Sequence, residues 1–241
     1  MPSLRRAIPQ RSDPSPTPAA APLPGLHAGD ETRERLIQAA GREFARRGFE
    51  DASVRAICTA AGANVSAVKY HFGGKEALYR AVIETGRSQM CGGIAPPIMG
   101  ANEPAAVALE RWLNWFLRMI LLNETNHPWI GEIMAHETMR PTACLDEFVE
   151  HTAGPIRVEL VRIVRRLLPP RTSEQTAQRL ANAVLGMCVA QKHGREMFKR
   201  FGFPPPREPG EIEALAALFA RFAIHGLTHF TPATKPARKA K

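Results

Sequence analysis

The chain has 241 residues, 44% of them hydrophobic, so it can bury one large core or a small domain beside a larger one. Its formal net charge at neutral pH is +9. No stretch approaches the roughly 18 consecutive apolar residues of a membrane span, and residues 1–28 lack the apolar run of a signal peptide. We therefore expect a soluble, cytoplasmic protein with no membrane partner.

The cysteines give no sign of a metal site or a disulfide framework. They are widely spaced and form no C-x-x-C pair: Cys58, Cys91, Cys144 and Cys188. We interpret all four as small buried apolar side chains rather than redox groups.

The two ends of the chain differ in composition from the rest. Residues 1–29 are rich in proline and alanine, which predicts a disordered arm. Residues 231–241 carry four Lys or Arg and no acidic residue, which predicts a basic disordered tail. The pattern leaves open whether this tail touches DNA.

From Asp30 onward the apolar residues recur with helical spacing, and glycines mark the helix ends. Ser53 is the expected N-cap of the second helix. The predicted helices of this region cover 32 to the stop at Gly48, 54–61, 65–72 and 75–91.

Two short helices joined by a tight turn containing glycine form the helix-turn-helix pattern, whose second helix enters the major groove of DNA. Val65, Val68 and Phe72 are expected to pin this second helix to its neighbours. Small, polar and cationic residues would then face outward: Asn64, Ser66, Ala67, Lys69, Tyr70 and His71. These residue types suit a groove wall, which offers base edges and phosphates.

Another interpretation fits the same spacing. Lys69 and His71 could be ordinary surface residues, and Tyr70 could be a core ring with a solvated hydroxyl. Helical periodicity alone does not choose between these interpretations.

The stretch GFEDASVRAICTAAGANVSAVKYHFGGKEALYRAVIE resembles the N-terminal DNA-binding domain of TetR/AcrR-type transcriptional regulators. The resemblance covers about residues 32–84. It rests on the Gly-Phe after the first helix, Ala60-Ala61-Gly62, Tyr70-His71-Phe72 and Lys75-Glu76-x-Leu78. It implies an all-α homodimer in which a three-helix helix-turn-helix domain precedes a helical-bundle effector and dimerisation domain.

The resemblance also implies roles for individual residues. Arg55 would contact the DNA backbone or a base, Ser53 a phosphate, and Lys75 a phosphate from the start of the next helix. The recognition-helix positions are Ser66, Ala67, Lys69, Tyr70 and His71. One residue departs from the family pattern, because the position two before His71 is commonly Tyr and here is Lys69.

The sequence of residues 87–230 predicts further helices. Pro104 and Pro128 each open one. The other predicted segments are 145–168, broken or kinked at Gly154-Pro155, 173–198 after a capping box at 172–175, and 212–229.

The stretch HETMRPTACLDEFVEHTAGPIRVELVRIVRRLL resembles the effector domain of the CecR-like subgroup of the family. This implies a small-molecule pocket among the middle helices and a dimer formed by the last two long helices. The expected domains are thus an arm (1–29), a DNA-binding domain (30–86), a ligand-binding and dimerisation domain (87–230) and a tail (231–241).

An aromatic and sulfur-rich wall with a few polar groups is the candidate effector pocket. An aromatic stripe at this spacing is also typical of an ordinary core. The candidate residues are Trp112, Trp115, Phe116, Met119, Met134, His136, Met139 and Arg140.

The last two helices carry more apolar surface than one bundle needs, which predicts an isologous homodimer. The candidate interface residues are Val184, Leu185, Val189, Leu215, Leu218, Phe219 and Phe222.

No metal, cofactor or enzymatic activity is expected. His136-Glu137 does not continue to H-E-x-x-H, His127 and His151 complete no known ligand spacing, and no phosphate loop or nucleophile elbow occurs. The favoured function is a ligand-responsive regulator, a repressor released from an inverted-repeat double-stranded DNA operator by a small molecule. The alternative is a helical small-molecule-binding protein or enzyme that keeps a decayed DNA-binding module.

Overall fold

The computed structural model describes residues 28–90, 95–122 and 129–231. This part of the chain forms eleven α-helices and one π-helical turn, and it contains no strand, so the all-α prediction is confirmed. The helices are α1 (Ala28–Asp51), α2 (Val54–Ala61), α3 (Ser66–Phe72), α4 (Lys75–Met90), α5 (Ala105–Leu121), α6 (Ile130–Met139), α7 (Ala143–Phe148), α8 (Gly154–Leu167), α9 (Glu174–His193), α10 (Arg195–Arg200) and α11 (Pro209–Thr228).

In the helix-turn-helix region, the helix break and the helix caps lie where the sequence predicts them. Gly48 has φ 75° and ψ 177°, so the expected stop is a break inside α1. Ser53 caps α2, because its Oγ accepts a hydrogen bond from the Ala56 amide at 3.3 Å. Gly62 then ends α2 in the left-handed region, at φ 61°, which glycine adopts without strain. The chain therefore turns sharply between α2 and α3.

The first of two cores lies within α1–α4 and includes Phe44 and Leu78. Trp129 and Ile130, at the start of α6, are buried in this same core. The Trp129 ring lies directly against Gly41 of α1. A Cβ atom on Gly41 would lie only 2.2 Å from this ring, so the contact is possible because residue 41 has no side chain. Although α6 follows the predicted DNA-binding range, it packs as part of that domain's core.

The second core joins α5, α8, α9 and α11. Trp112 of α5 is fully buried there, and its ring stacks on Phe116 with centroids 5.0 Å apart. Small side chains on α11, such as Ala216 and Ala220, are also buried and bring this helix close to α5.

The helical run predicted over 145–168 is interrupted at Gly154-Pro155, as expected: α7 ends at Phe148, a π-helical turn follows at Val149–Ala153, and α8 starts at Gly154. Another predicted segment needs correction. The predicted helix over 173–198 ends at His193. At Gly194, the next residue, a Cβ would lie 2.7 Å from the Ala190 carbonyl oxygen.

The helix caps also differ from the prediction in detail. Ser173, not Thr172, caps α9, with its Oγ accepting from the Thr176 amide at 3.2 Å. The capping box of the last helix is Glu208 with Glu211, so α11 begins at Pro209.

Cys58, Cys144 and Cys188 are buried free thiols, as predicted. Burial raises the pKa of the Cys188 thiol to about 12. Cys91, His127 and Pro128 lie outside the described residues, as do the predicted arm up to residue 27 and the tail from 232. Among the helices that are described, none combines the length and apolarity of a membrane span.

Candidate functional site

The exposed face of α3 consists of Ser66, Lys69 and Tyr70. At 100° per residue these three side chains fall within a sector of about 100°, while Val68 is buried on the opposite side. Tyr70 is 85% exposed, so the interpretation of its ring as a core group is wrong. An aromatic ring and a cation thus stand side by side on an open helix face.

Val65 does not pin α3 as predicted, because it occupies the N-cap position and is 52% exposed. Ala67 takes that place, half-buried and packed against the first core together with Phe72. The Cζ of Arg33, in α1, lies 5.3 Å from the centroid of the Phe72 ring and covers it from outside.

Asn64 and Ser66 are joined by hydrogen bonds at the start of α3. The Asn64 Oδ1 accepts hydrogen bonds from the Ser66 amide and from the Ser66 hydroxyl, both at 3.0 Å. The carboxamide thereby caps the start of α3. Of these two predicted DNA contacts, Asn64 has a clear structural task in holding the helix.

His71 lies at the margin of the exposed face and is half-buried. Its ring packs edge to face against Tyr70, with centroids 4.9 Å apart. This contact restricts the Tyr70 ring, which otherwise projects into solvent.

Arg55 and Ser53 are exposed at the start of α2. The Ser53 amide donates to Glu43 Oε1 at 3.4 Å, and Arg46 donates to Glu43 Oε2 at 2.7 Å. The Arg46 hydrogen bond, more than the Ser53 amide, lowers the pKa of the Glu43 carboxyl. This carboxylate therefore fixes the position of α2 relative to α1.

Lys75 is not directed outward as a phosphate anchor in this structure. Its Nζ donates to the Glu50 carbonyl oxygen at 2.9 Å and lies 5.0 Å from the centroid of the Phe49 ring. The side chain instead ties the start of α4 to the end of α1.

A cavity of about 240 Å³, which we call the α6 cavity, lies between α6 and the second core. Three predicted pocket residues line it, namely Phe116, Met119 and Met134. The sequence interpretation missed the rest of the lining, Ile120, Ile130, Gly131, Phe148, Ala153, Ile156, Leu185, Val189, Lys192 and His193.

The other predicted pocket residues lie elsewhere. Trp112 belongs to the second core, and Trp115 packs against that core without lining the cavity. Met139 is 83% exposed, and with His136 and Arg140 it borders a separate cleft between the end of α1 and α6. The His136 Nε2 donates to the Ala45 carbonyl oxygen at 2.8 Å, so this residue holds α6 to α1.

A buried polar contact joins α4 to α6. The Tyr79 hydroxyl donates to Glu137 Oε1 at 2.6 Å, and Glu137 is 1% exposed. Thr142 completes the site, since its amide and its hydroxyl both donate to Glu137 at 2.9 Å. Burial, followed by the hydrogen bond to the Glu137 carboxylate, raises the pKa of Tyr79.

Sequence spacing does not predict the Tyr79–Glu137 hydrogen bond, and Glu137 was considered above only as part of a possible metal motif. No spacing rule connects residues 58 positions apart on different helices. Within the described ranges, no three His, Cys, Asp or Glu side chains are grouped so that they could hold a metal ion.

The predicted dimer face divides into exposed and buried members. On α11, Leu218 is 52% exposed and Phe222 is 71% exposed, with Leu215 and Phe219 half-buried beside them. On α9, Val184 is buried in the chain's own core, and Leu185 and Val189 line the cavity. Leu185 and Val189 are only half-buried, so a role of α9 in the dimer stays a prediction.

Comparison with known families agrees with this architecture. Residues 36–82 match the bacterial regulatory proteins of the tetR family. Residues 105–227, half of the chain, match the C-terminal domain of the HTH-type transcriptional dual regulator CecR. The chain belongs to the TetR family, with a CecR-type C-terminal domain. It is a DNA-binding transcriptional regulator, and α2 and α3 are its helix-turn-helix.

Relatives of this TetR-family chain are themselves regulators. It is 26% identical over 176 residues to the HTH-type transcriptional dual regulator CecR of Shigella flexneri, covering 70% of this chain and 78% of the relative. It is 35% identical over 71 residues to the HTH-type transcriptional regulator UidR of Escherichia coli K12, covering 30% of this chain and 36% of that one.

Solved structures share the fold of this TetR-family chain. The regulator PfmR from Thermus thermophilus aligns with a TM-score of 0.57 at 19% identity, covering 81% of this chain and 96% of that one. A transcriptional regulator from Rhodococcus sp. Rha1 aligns with a TM-score of 0.56 at 20% identity, covering 83% and 99%.

Proposed function

We propose that this regulator is a repressor that binds an inverted-repeat operator as a homodimer and leaves it when a small molecule enters the α6 cavity. The observation that carries the proposal is the position of α6. Ile130 is buried in the core of α1–α4 and also lines the cavity, so one helix touches both the DNA-binding domain and the candidate effector site.

The DNA-binding half of the proposal rests on the exposed face of α3. A Lys ammonium reaches phosphates or the acceptor edge of guanine, and a Tyr hydroxyl donates to phosphates. Lys69 and Tyr70 supply these groups on adjacent positions. Arg55, exposed on α2 of the same helix-turn-helix, adds a second cation.

The homodimer is supported by the apolar surface of α11. Leu218 and Phe222 lie one helical turn apart on α11 and are both exposed, so this helix presents an apolar surface that a partner chain can cover. An isologous dimer presents two copies of α3 related by a two-fold axis, and such a pair reads two symmetric half-sites.

Release is supported by the tight contacts between α6 and the DNA-binding domain. A Cβ atom on Gly86 of α4 would lie 2.8 Å from the Ile130 side chain, so α4 and α6 are closely packed at this point. Close-packed surfaces transmit a displacement rather than absorb it. A ligand that shifts α6 would therefore reorient α4 and weaken operator binding, by a coupling of about 1–3 kcal/mol.

A cavity-filling variant tests this coupling without knowledge of the ligand. Met134→Trp places a bulky ring in the cavity from α6, and Val158→Trp, at an exposed position on α8, is the matched control. Operator affinity is measured by fluorescence anisotropy, with folding checked by thermal unfolding.

Met134→Trp should lower operator affinity by about 5- to 150-fold, and Val158→Trp should leave it unchanged. A folded Met134→Trp protein with wild-type affinity would exclude release through α6. If the wild-type protein binds no DNA at all, the alternative of a decayed DNA-binding module gains support.

A further inference from the structure

Arg33 of α1 lies against the end of α3. Its Cζ is 5.3 Å from the centroid of the ring of Phe72, the last residue of α3. The helical phase of α1 explains this position. Leu36 and Ile37, three and four residues later, are fully buried in the first core, so residue 33 falls on the face of α1 that meets the rest of the domain. Arg35, two residues along, falls on the opposite face.

The Arg33 side chain is exposed although it covers the ring. Within the described chain, no carboxylate forms an ion pair with it, so its charge is open to an anion from outside. A guanidinium held over an aromatic face keeps its N–H donors for other partners, and the contact limits the conformations of the long side chain. Phe72 therefore presents an oriented cation to the solvent.

This cation stands beside the exposed face of α3. Lys69 lies one turn before Phe72, and at 100° per residue the two side chains are about 60° apart around the helix. Lys69 is thus the member of the exposed face nearest to Phe72, and Arg33 lies just beyond that edge. Phosphates border the groove that a recognition helix enters, so a cation at this edge is placed to meet the DNA backbone.

The state of Lys75 leaves room for another phosphate contact. The resemblance to the family implies a phosphate contact at Lys75, but its Nζ donates to the Glu50 carbonyl oxygen at 2.9 Å. Arg33 is held by a ring instead, and a ring takes up no hydrogen-bond donor in the plane of the guanidinium.

We propose that Arg33 is a further DNA-contacting residue, which binds a backbone phosphate beside the groove that receives α3, with Phe72 as the platform that holds the guanidinium in place. DNA binding then involves α1 as well as α2 and α3. This inference goes beyond the proposed function, and it depends neither on repression nor on an effector or a dimer.

The salt dependence of binding to a random-sequence DNA duplex tests the inference without knowledge of the operator. Arg33→Met removes the charge and keeps an unbranched stem over Phe72, whereas Arg33→Lys keeps the charge. Arg35→Met is the matched control, because it removes the same charge from an exposed position on the opposite face of α1. The affinity of the full chain is measured by fluorescence anisotropy at several salt concentrations, with folding checked by thermal unfolding.

Arg33→Met should reduce the slope of log affinity against log salt concentration by about 0.9 for each protomer bound, because one phosphate contact is lost. Arg33→Lys and Arg35→Met should keep the wild-type slope. The thermal midpoints of all three variants should stay close to wild type. If Arg33→Met unfolds more easily, Arg33→Gln replaces it, and the same reduction in slope is expected.

Four results would overturn the inference. The first is no binding of the duplex by the wild-type protein, and the second is an unchanged slope in the neutral Arg33 variants. The third is an equal reduction in Arg35→Met, which would show a general effect of net charge. The fourth is an equal reduction in Arg33→Lys, which would show that packing on Phe72 matters and the charge does not.

Discussion

The Tyr79 hydroxyl donates a 2.6 Å hydrogen bond to the buried Glu137 carboxylate, and this bond joins α4 of the DNA-binding domain to α6, the helix whose first half lines the α6 cavity. The carboxylate also accepts two hydrogen bonds from Thr142. Burying a carboxylate is costly unless hydrogen-bond donors stay in place around it. The Tyr79–Glu137 bond therefore holds α4 and α6 in one relative position.

Tyr79→Phe should lower the free energy of unfolding by about 1–3 kcal/mol, because it removes one donor from a buried carboxylate. Tyr70→Phe is the matched control, since the same hydroxyl is lost from a ring that is 85% exposed. Urea unfolding of both variants measures the difference. Equal effects of the two substitutions would show that the Tyr79–Glu137 bond contributes nothing to stability.

The fold of the first domain was largely predictable because its signals are local. Ser53 as an N-cap and Gly62 at the turn act over three or four residues, and both are found where expected. The register of α3 was also predictable, apart from Val65, which is exposed, and Ala67, which packs against the core. Tyr70 remained ambiguous because an aromatic residue at that spacing fits either a core or a surface.

The cavity and the contact between domains were not predictable from spacing, because they depend on which face of each helix meets which neighbour. Leu185 and Val189 share an apolar stripe on α9, but only the packing of α6 shows that they line a cavity. The close packing of the Trp129 ring against Gly41 likewise involves residues far apart in sequence.

Substituting the exposed face of α11 should break the dimer. Leu218→Glu or Phe222→Glu puts a charge where a partner would cover an apolar surface, and burying an unpaired charge is costly. Sedimentation at micromolar concentration should show a dimer for the wild-type protein and for the control Val158→Glu, an exposed site on α8. A monomeric wild-type protein would contradict the proposed interface.

Glu43 should make the DNA-binding domain sensitive to acid. The Arg46 hydrogen bond lowers the pKa of this carboxyl below its ordinary value of 4.5. A lowered folded-state pKa adds stability above the unfolded pKa, and that stability is lost as the pH falls from about 4.5 through the folded value.

Thermal midpoints measured across this acid range should therefore fall less steeply for Glu43→Gln than for the wild-type protein. Glu31→Gln, which changes an exposed carboxyl in the first turn of the same helix, is the control. Parallel curves for wild type and Glu43→Gln would show that Glu43 does not contribute to the acid sensitivity.

Lys69→Ala distinguishes two modes of DNA contact at the position where this chain departs from the common family residue. A phosphate contact predicts weaker binding to all sequences and a salt slope reduced by about one unit. A guanine contact predicts a loss of about 1–3 kcal/mol at one base pair in each half-site. We expect the phosphate pattern, and stability should not change because the side chain is exposed. Unchanged operator affinity would exclude both roles.

The most direct test is a footprint of the purified protein on the DNA upstream of its own gene. A dimer with two copies of the Ser66, Lys69 and Tyr70 face should protect two inverted half-sites, centred about one helical turn or a multiple of it apart. Protection should be lost in Lys69→Ala with Tyr70→Ala combined, while folding is retained. Protection of a single unrepeated site, or an unchanged footprint in the double variant, would contradict DNA reading by a paired α3.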